Sequence, residues 1–396
     1  MSLRILADEN MPMVDALFGG VGHSIKTLPG RQITRADVID TDVLLVRSIT
    51  RVDAALLADT AVRFVGTATI GTDHLDIPWL ESQGIRWHNS PGCNAEAVVD
   101  YVIASLVYRQ HTQGTSWRDK TVGVVGCGNV GGRLANRLSA AGVQVRRFDP
   151  PKQADRVQDH SRNPTLDMPE YSSWASVIDA DILCFHTPLT HSGPHPTHHL
   201  LNAAAIAQLK PGTVIINAGR GPVIQQDALV RRMVAERDLT LIVDVWETEP
   251  NPDALLMSHT LLSTPHIAGY SLDGKIRGTW MLHAAFMAWM ESEAVPEPIS
   301  DIQLPQPYQW RDDQSIDANL YAAINQVFSI SNDSERMRQA LAEVTEAAAR
   351  GQVFDQLRKH YPVRREFSCL VLQGVPEQDS SWIRALGFQC VAASSV

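Results

Sequence analysis

Along the first ninety residues, short apolar runs alternate with segments of helical spacing. The runs Arg4 to Ala7, Val43 to Arg47, Phe64 to Thr67 and Ile85 to His88 read as strands, and strands separated by helices are the pattern of a small parallel sheet. Asn94, after Pro91 and Gly92, is placed to cap the segment that follows. That segment, AEAVVDYVIASLVYRQ from Ala95, is apolar nearly all round and predicts a long buried helix. A second series of strands begins near Thr121, Val143, Ile182, Thr213, Leu239 and Leu261. Pro296, Pro298, Pro305 and Pro307 then mark an extended arm between Glu291 and Ser315. Beyond it come helical stretches Asp317 to Ser331 and Ser334 to Arg350, a strand Cys369 to Gln373, a helix Ser380 to Leu386 and a strand Gln389 to Ala393. They predict a small, separate α/β unit.

The strand at Thr121 leads directly into glycines, TVGVVGCGNVG, and a helix-prone run follows from Arg133 to Ala141. Strand, Gly126, Gly128, Gly131 and helix form a dinucleotide fingerprint in its proper context. Gly126 permits a tight turn, Gly128 lets the backbone approach a pyrophosphate, and Gly131 allows the helix to pack closely on the strand. Asn129 and Val130 complete the loop whose helix points its positive end at the phosphates. The next apolar run, Val143 to Phe148, ends in Asp149. A carboxylate there accepts hydrogen bonds from both ribose hydroxyls of NAD and repels the additional phosphate of NADP.

Composition narrows the class. The chain has 396 residues and a formal charge of −10, with a pI near 5.8, which argues against non-specific nucleic-acid binding. Its five cysteines are scattered and never spaced C-x-x-C, so neither a disulfide framework nor a zinc site is expected. Asp8 and Glu9 stand where a signal peptide needs an apolar core, and no apolar run approaches the roughly 18 residues of a membrane helix. The expectation is a soluble cytoplasmic protein without membrane partners.

Three later segments each place a functional side chain just after a strand: NAGRG with Arg220, DVWETEP with Asp244 and Glu249, and TPHIAGY with His266. Strand ends on one side of a parallel sheet converge, so these groups can meet despite their separation in sequence. Histidine exchanges a proton near neutral pH, a neighbouring carboxylate orients it and favours its imidazolium form, and a guanidinium grips a carboxylate in a planar fork. Together with the fingerprint, GTATIGTDHLD at 66–76 and SPGCNAEAV at 90–98, the set resembles the D-isomer-specific 2-hydroxyacid dehydrogenases. That resemblance implies a Rossmann-type doubly wound nucleotide domain, a flavodoxin-like substrate domain, and oxidation of a 2-hydroxy acid by NAD.

Further segments resemble one branch of this family more narrowly: LADENMP at the start, VRSIT at 46–50, HTPL at 186–189, HIAGY with Leu272 to Gly278, and YPVRREFS at 361–368. The branch oxidises 4-phosphoerythronate to 2-oxo-3-hydroxy-4-phosphobutanoate on the route to pyridoxal 5′-phosphate, and carries a C-terminal dimerisation domain. The resemblance implies catalysis by Arg220, Glu249 and His266. It implies NAD contacts from Asp149, Thr187, Ala218, Gly219, Arg220, Asp244 and Gly269, and substrate contacts from Ser48, Thr69 and Tyr270. Arg47, beside Ser48, adds a cation for a distal phosphate. The domains would be 1–93 with 270–290 for substrate, 94–269 for NAD, an arm over 291–315, and 316–396 for a homodimer contact. Two alternatives stay open at this stage: a sister enzyme acting on 3-phosphoglycerate or an unphosphorylated acid, and a non-catalytic, NAD-sensing protein like the co-repressors of this fold.

His186, His191, His195, His198 and His199 crowd a short stretch. Without Cys or carboxylate partners at ligand spacing, no metal site is expected there.

Overall fold

The computed structural model describes residues 2–19, 24–162, 170–291 and 304–392. Pro296 and Pro298 of the expected arm lie outside these residues, as does Ala393 at the end of the last expected strand. The chain divides into two units, Met1–Glu96 with Tyr270–Gln303 and Ala97–Gly269 with Leu304–Val396.

The first unit holds a five-stranded sheet of β1 (Arg4–Asp8), β2 (Ser24–Leu28), β3 (Val43–Val46), β4 (Phe64–Thr67) and β5 (Arg86–Asn89). Its order is β2-β1-β3-β4-β5 and every pairing is parallel, the flavodoxin-like arrangement. The apolar runs β3 and β4 are fully buried because helices cover both faces. Strand β2 was not evident from the apolar pattern. It is an edge strand whose residues are exposed or half-buried, so Ser24, Lys26 and Thr27 carry no apolar signal. Helix Leu272–Trp289 returns to this unit and buries Leu282 and Phe286 against Phe18, Phe64 and Ala68.

The second unit is built on β6 (Thr121–Val125), β7 (Gln144–Phe148), β8 (Ile182–Phe185), β9 (Val214–Asn217), β10 (Thr240–Val243) and β11 (Leu262–Ser263). The strands are parallel in the order β11-β10-β9-β8-β6-β7. Strand order therefore reverses between β6 and β8, the switch point at which open α/β sheets take ligands. The C-terminal segment adds a small parallel sheet, β12 (Tyr308–Gln309), β13 (Val371–Val375) and β14 (Gln389–Ala392), ordered β12-β13-β14.

Two expectations for the tail differ from what is seen. Ser334 to Arg350 is not one helix, because Ile330–Leu341 ends and Ala347–Lys359 begins anew from Glu346 in extended conformation. The tail also clusters with the nucleotide-binding sheet instead of standing apart. Met337, Leu341 and Phe354 share a core with Phe185, Ile215 and Trp246. Arg364, 1 % exposed, donates to the carbonyls of Ala97 and Ala268. The wholly buried Asp100 pairs with Arg137 and accepts from the Phe367 amide. Burial raises the Asp100 pKa, to about 7, against the pull of Arg137.

Candidate active site

The three fingerprint glycines answer three separate demands. Gly126 has φ +83°, and a Cβ there would lie 2.7 Å from Thr187 Cγ2, so strand β6 turns against the end of β8 as only glycine allows. A Cβ on Gly131 would fall 1.9 Å from the Gly126 carbonyl oxygen, where helix Asn129–Ala140 crosses the strand. At Gly128 a Cβ would meet nothing within 4 Å. The open side of the loop thus lies at the helix N-terminus, including Asn129 and Val130, and leaves room for an anion such as a pyrophosphate. Asp149, just past β7, accepts from the Cys127 amide through Oδ2 at 2.8 Å and from the Lys152 amide through Oδ1 at 3.1 Å. The acidic group is anchored to the glycine loop itself.

On the other side of the switch point, Thr187 Oγ1 and both ring nitrogens of His186 are buried without a hydrogen-bond partner among the described residues. Buried polar groups are ordinarily paired, so these donors and acceptors fit a bound polar molecule. Burial pushes the His186 pKa down to about 4, so the imidazole is neutral.

Strand β9 ends in Asn217, whose side chain brackets the loop beyond it by accepting from the Gly219 amide and donating to the Arg220 carbonyl. Ala218 and Gly219 pass close to β8, since a Cβ on Gly219 would lie 2.9 Å from the Phe185 carbonyl oxygen. Arg220 is half-buried and donates to the Gly219 carbonyl at 3.0 Å.

The third loop carries the imidazole. His266 Nδ1 donates to Glu249 Oε2 at 2.8 Å, leaving Nε2 to exchange a proton. His266 adopts φ +55°, an uncommon conformation for a residue with a Cβ. Asp244 holds that turn: its carbonyl accepts from the His266 amide, Oδ1 from Ile267 N and Thr264 Oγ1, and Oδ2 from Ala268 N. The resemblance gave Asp244 to the cofactor. The hydrogen bonds seen here all serve the turn that aims His266 and leads to Gly269. Burial disfavours the Glu249 charge, but the charge and hydrogen bond of His266, the Trp246 amide and the Arg358 charge outweigh it and hold its pKa below the ordinary value.

In the first unit, Arg47 and Lys275 both face the ring of Tyr270, at 5.4 and 5.3 Å from its centroid. Neither cation forms an ion pair with a carboxylate among the described residues. Burial and the charge of Arg47 push the Lys275 pKa down to about 8, against the opposing charge of Asp8. Ser48 follows Arg47 and is exposed. Thr69 donates its hydroxyl to the Gly71 carbonyl and pairs with Thr67 Oγ1, which also meets His74 Nε2. Sequence reasoning missed Lys275, although it lies in the segment Leu272 to Gly278 that carried part of the resemblance.

Residues 97–268 match the model of the D-isomer specific 2-hydroxyacid dehydrogenase NAD-binding domain, and residues 304–387 match a domain of unknown function, DUF3410. A relative from Azotobacter vinelandii named erythronate-4-phosphate dehydrogenase is 44 % identical over 98 % of this chain and 100 % of its own length. The chain belongs to the erythronate-4-phosphate dehydrogenase family. Enzymes of that name from Pseudomonas aeruginosa, 44 % identical over 98 % of this chain and all of theirs, and Klebsiella pneumoniae, 42 % identical over 98 % of this chain and 99 % of theirs, match it as fully. Among solved structures, NAD-bound 3-phosphoglycerate dehydrogenase from Entamoeba histolytica aligns with a TM-score of 0.62 at 20 % identity, covering 76 % of this chain and 100 % of that one. NAD-dependent formate dehydrogenase from Staphylococcus aureus aligns at 0.57 and 20 %, covering 76 % and 98 %. The doubly wound fold is thereby shared with these dehydrogenases, and the erythronate-4-phosphate dehydrogenase family and its NAD-binding domain make NAD the cofactor. The glycine loop, Asp149 and the unpaired groups at 186–187 fit it. No described helix is long and apolar enough to cross a membrane.

Proposed function

We propose that this chain oxidises 4-phospho-D-erythronate to 2-oxo-3-hydroxy-4-phosphobutanoate with NAD, in the formation of pyridoxal 5′-phosphate. The single observation that carries the substrate assignment is the pair of cations, Arg47 and Lys275, facing one tyrosine without a carboxylate partner. A dianionic phosphate answers both charges. Ser48, Thr69 and Tyr270 supply hydroxyls to the same end of the acid, while Arg220 pairs with the C1 carboxylate and polarises the C2 oxygen.

When bound, NAD would supply the acceptor for the hydride that leaves C2. The hydroxyl proton passes to His266 Nε2 as the C2–O bond becomes a carbonyl, and Glu249 stabilises the imidazolium through Nδ1. Asp149 takes the ribose hydroxyls, and the backbone of 126–131 the pyrophosphate. Thr187, Ala218, Gly219 and Gly269 complete the cofactor site, with Asp244 ordering the turn that leads to Gly269. The reading also includes a cytoplasmic location and a homodimer formed through the C-terminal segment, where Leu304, Val363 and Val391 expose 60, 76 and 53 % of their surface. Sedimentation would show a dimer that Val363→Glu or Val391→Glu weakens. A monomeric wild type removes that element.

The assay for the substrate is reduced-cofactor formation with 4-phosphoerythronate, erythronate, 3-phosphoglycerate and D-lactate, repeated with a 2-oxo acid present to reoxidise bound cofactor. A site built to pair a charged group discriminates against an analogue lacking it by about 10⁴ to 10⁵. Preference for 4-phosphoerythronate on that scale is expected. Faster turnover of 3-phosphoglycerate assigns the sister reaction, and NAD binding without turnover of any acid assigns a nucleotide-sensing role.

A further inference from the structure

The loop after β8 brings three imidazoles into one stack outside the catalytic groups. The rings of His198 and His199 lie 3.9 Å apart at 23°, and the His191 ring lies 4.7 Å from that of His198, tilted by 34°. The loop holding them is tied shut. Thr190 N donates to Thr197 Oγ1, Thr197 N to Thr190 Oγ1, and Thr197 Oγ1 to the Pro188 carbonyl. The amide of His198 donates to the Thr190 carbonyl, and that of His199 to the Pro222 carbonyl. Both residues are thus fixed through the backbone, not left on a free strand.

In sequence this run has no carboxylate at ligand spacing. In the fold one arrives from 48 positions away. Glu247, after β10, accepts from His199 Nε2 through Oε1 at 2.6 Å. Its other oxygen, Oε2, accepts from the Gln226 amide at 2.9 Å, which aims the carboxylate at the histidines. One ligand atom from each of His198, His199 and Glu247 lies within 4.8 Å of the others. Ligand atoms bound to one zinc ion at about 2.0–2.2 Å stand roughly 3.3–3.6 Å apart, so an ion would replace the proton shared by His199 and Glu247 and open that 2.6 Å pair around itself.

We propose that His198, His199 and Glu247 form a binding site for a divalent transition-metal ion of the zinc class, separate from the hydride-transfer chemistry. Two imidazoles and one carboxylate are the donor set of known zinc sites, with a further position left for water or His191. The Gln226 amide acts as the outer partner that orients the carboxylate. The ion would tie the Pro222 segment, next to Arg220, to the Glu247 segment, next to Glu249.

The test is titration of the metal-free full-length protein with Zn²⁺ by calorimetry, for wild type, His198→Ala, Glu247→Gln and His195→Ala. His195 is exposed on the same loop but outside the cluster. His198 is exposed as well, so its substitution leaves folding and metal-free turnover unchanged. Expected is one site in the wild type, weakened by more than about tenfold in His198→Ala and in Glu247→Gln, and untouched in His195→Ala. X-ray absorption at the zinc edge should show nitrogen and oxygen donors without sulfur. Equal binding by wild type and His198→Ala, equal loss in His195→Ala, or sulfur ligation would overturn the proposal.

Discussion

The imidazole of His266 has one free nitrogen because the other is spent on Glu249, and the reaction needs a single group able to take one proton. His266→Ala should therefore retain NAD affinity while losing turnover by about 10² to 10⁴-fold. Full turnover in that variant would remove the residue from the mechanism. The pair also makes a statement about acid stability. Folding lowers the Glu249 pKa below the ordinary 4.5, so its stabilisation is fully present above pH 4.5 and is lost as the pH falls through the lower folded value. Chemical denaturation of wild type and Glu249→Gln should show the wild-type advantage shrinking as the pH falls below 4.5. An advantage that keeps growing below pH 4.5 would reverse the sign and contradict the lowered carboxylate. At this scale the residues proposed for catalysis stood out in the sequence, because each follows a strand and has a distinctive side chain. What surrounds them was not. Asp244 holding the His266 turn, Lys275 beside Tyr270 and Glu247 beside His199 all depend on which chain segments meet in space.

At the scale of elements, apolar runs were legible where burial is complete, as in β3, β4, β8 and β9. The pattern failed at β2, an edge strand whose pairing is made by backbone groups that leave no mark in side-chain polarity. It failed again in the tail, where the residues joining two helices, 342–346, keep a helix-like composition although Glu346 is extended. The fingerprint was clear because geometry demands glycine. Gly131→Ala puts a methyl group against the Gly126 carbonyl oxygen and must push the helix off β6. Overpacking of this kind costs about 1–3 kcal/mol. We expect a matching fall in stability, with NAD affinity falling more than substrate affinity, readable by calorimetry. Unchanged NAD affinity would mean that the helix N-terminus does not hold the pyrophosphate.

At the scale of the whole molecule, the tail is part of the nucleotide-binding unit. Sequence gave no sign of this, since the tail lacks chemical motifs and follows a proline-rich segment. The structure buries Met337, Leu341 and Phe354 in the same core as Phe185 and Ile215, and Arg358 contributes to keeping Glu249 ionised. A chain ending at Glu291 would expose that core, so it should aggregate or unfold instead of giving a well-folded nucleotide domain. Leu341→Ala in the full chain is the milder form, expected to cost about 2–5 kcal/mol. An unchanged melting temperature would show that the tail is not integral. The central claim is that a phosphorylated four-carbon acid is recognised by cations that an unphosphorylated acid does not need. The most direct measurement is the ratio of kcat/KM for 4-phosphoerythronate to that for erythronate, in wild type and in the Arg47→Gln, Lys275→Gln double variant. The account predicts a large ratio that collapses in the variant, chiefly through KM for the phosphorylated acid, while turnover of erythronate stays near its wild-type value. An unchanged ratio would contradict it.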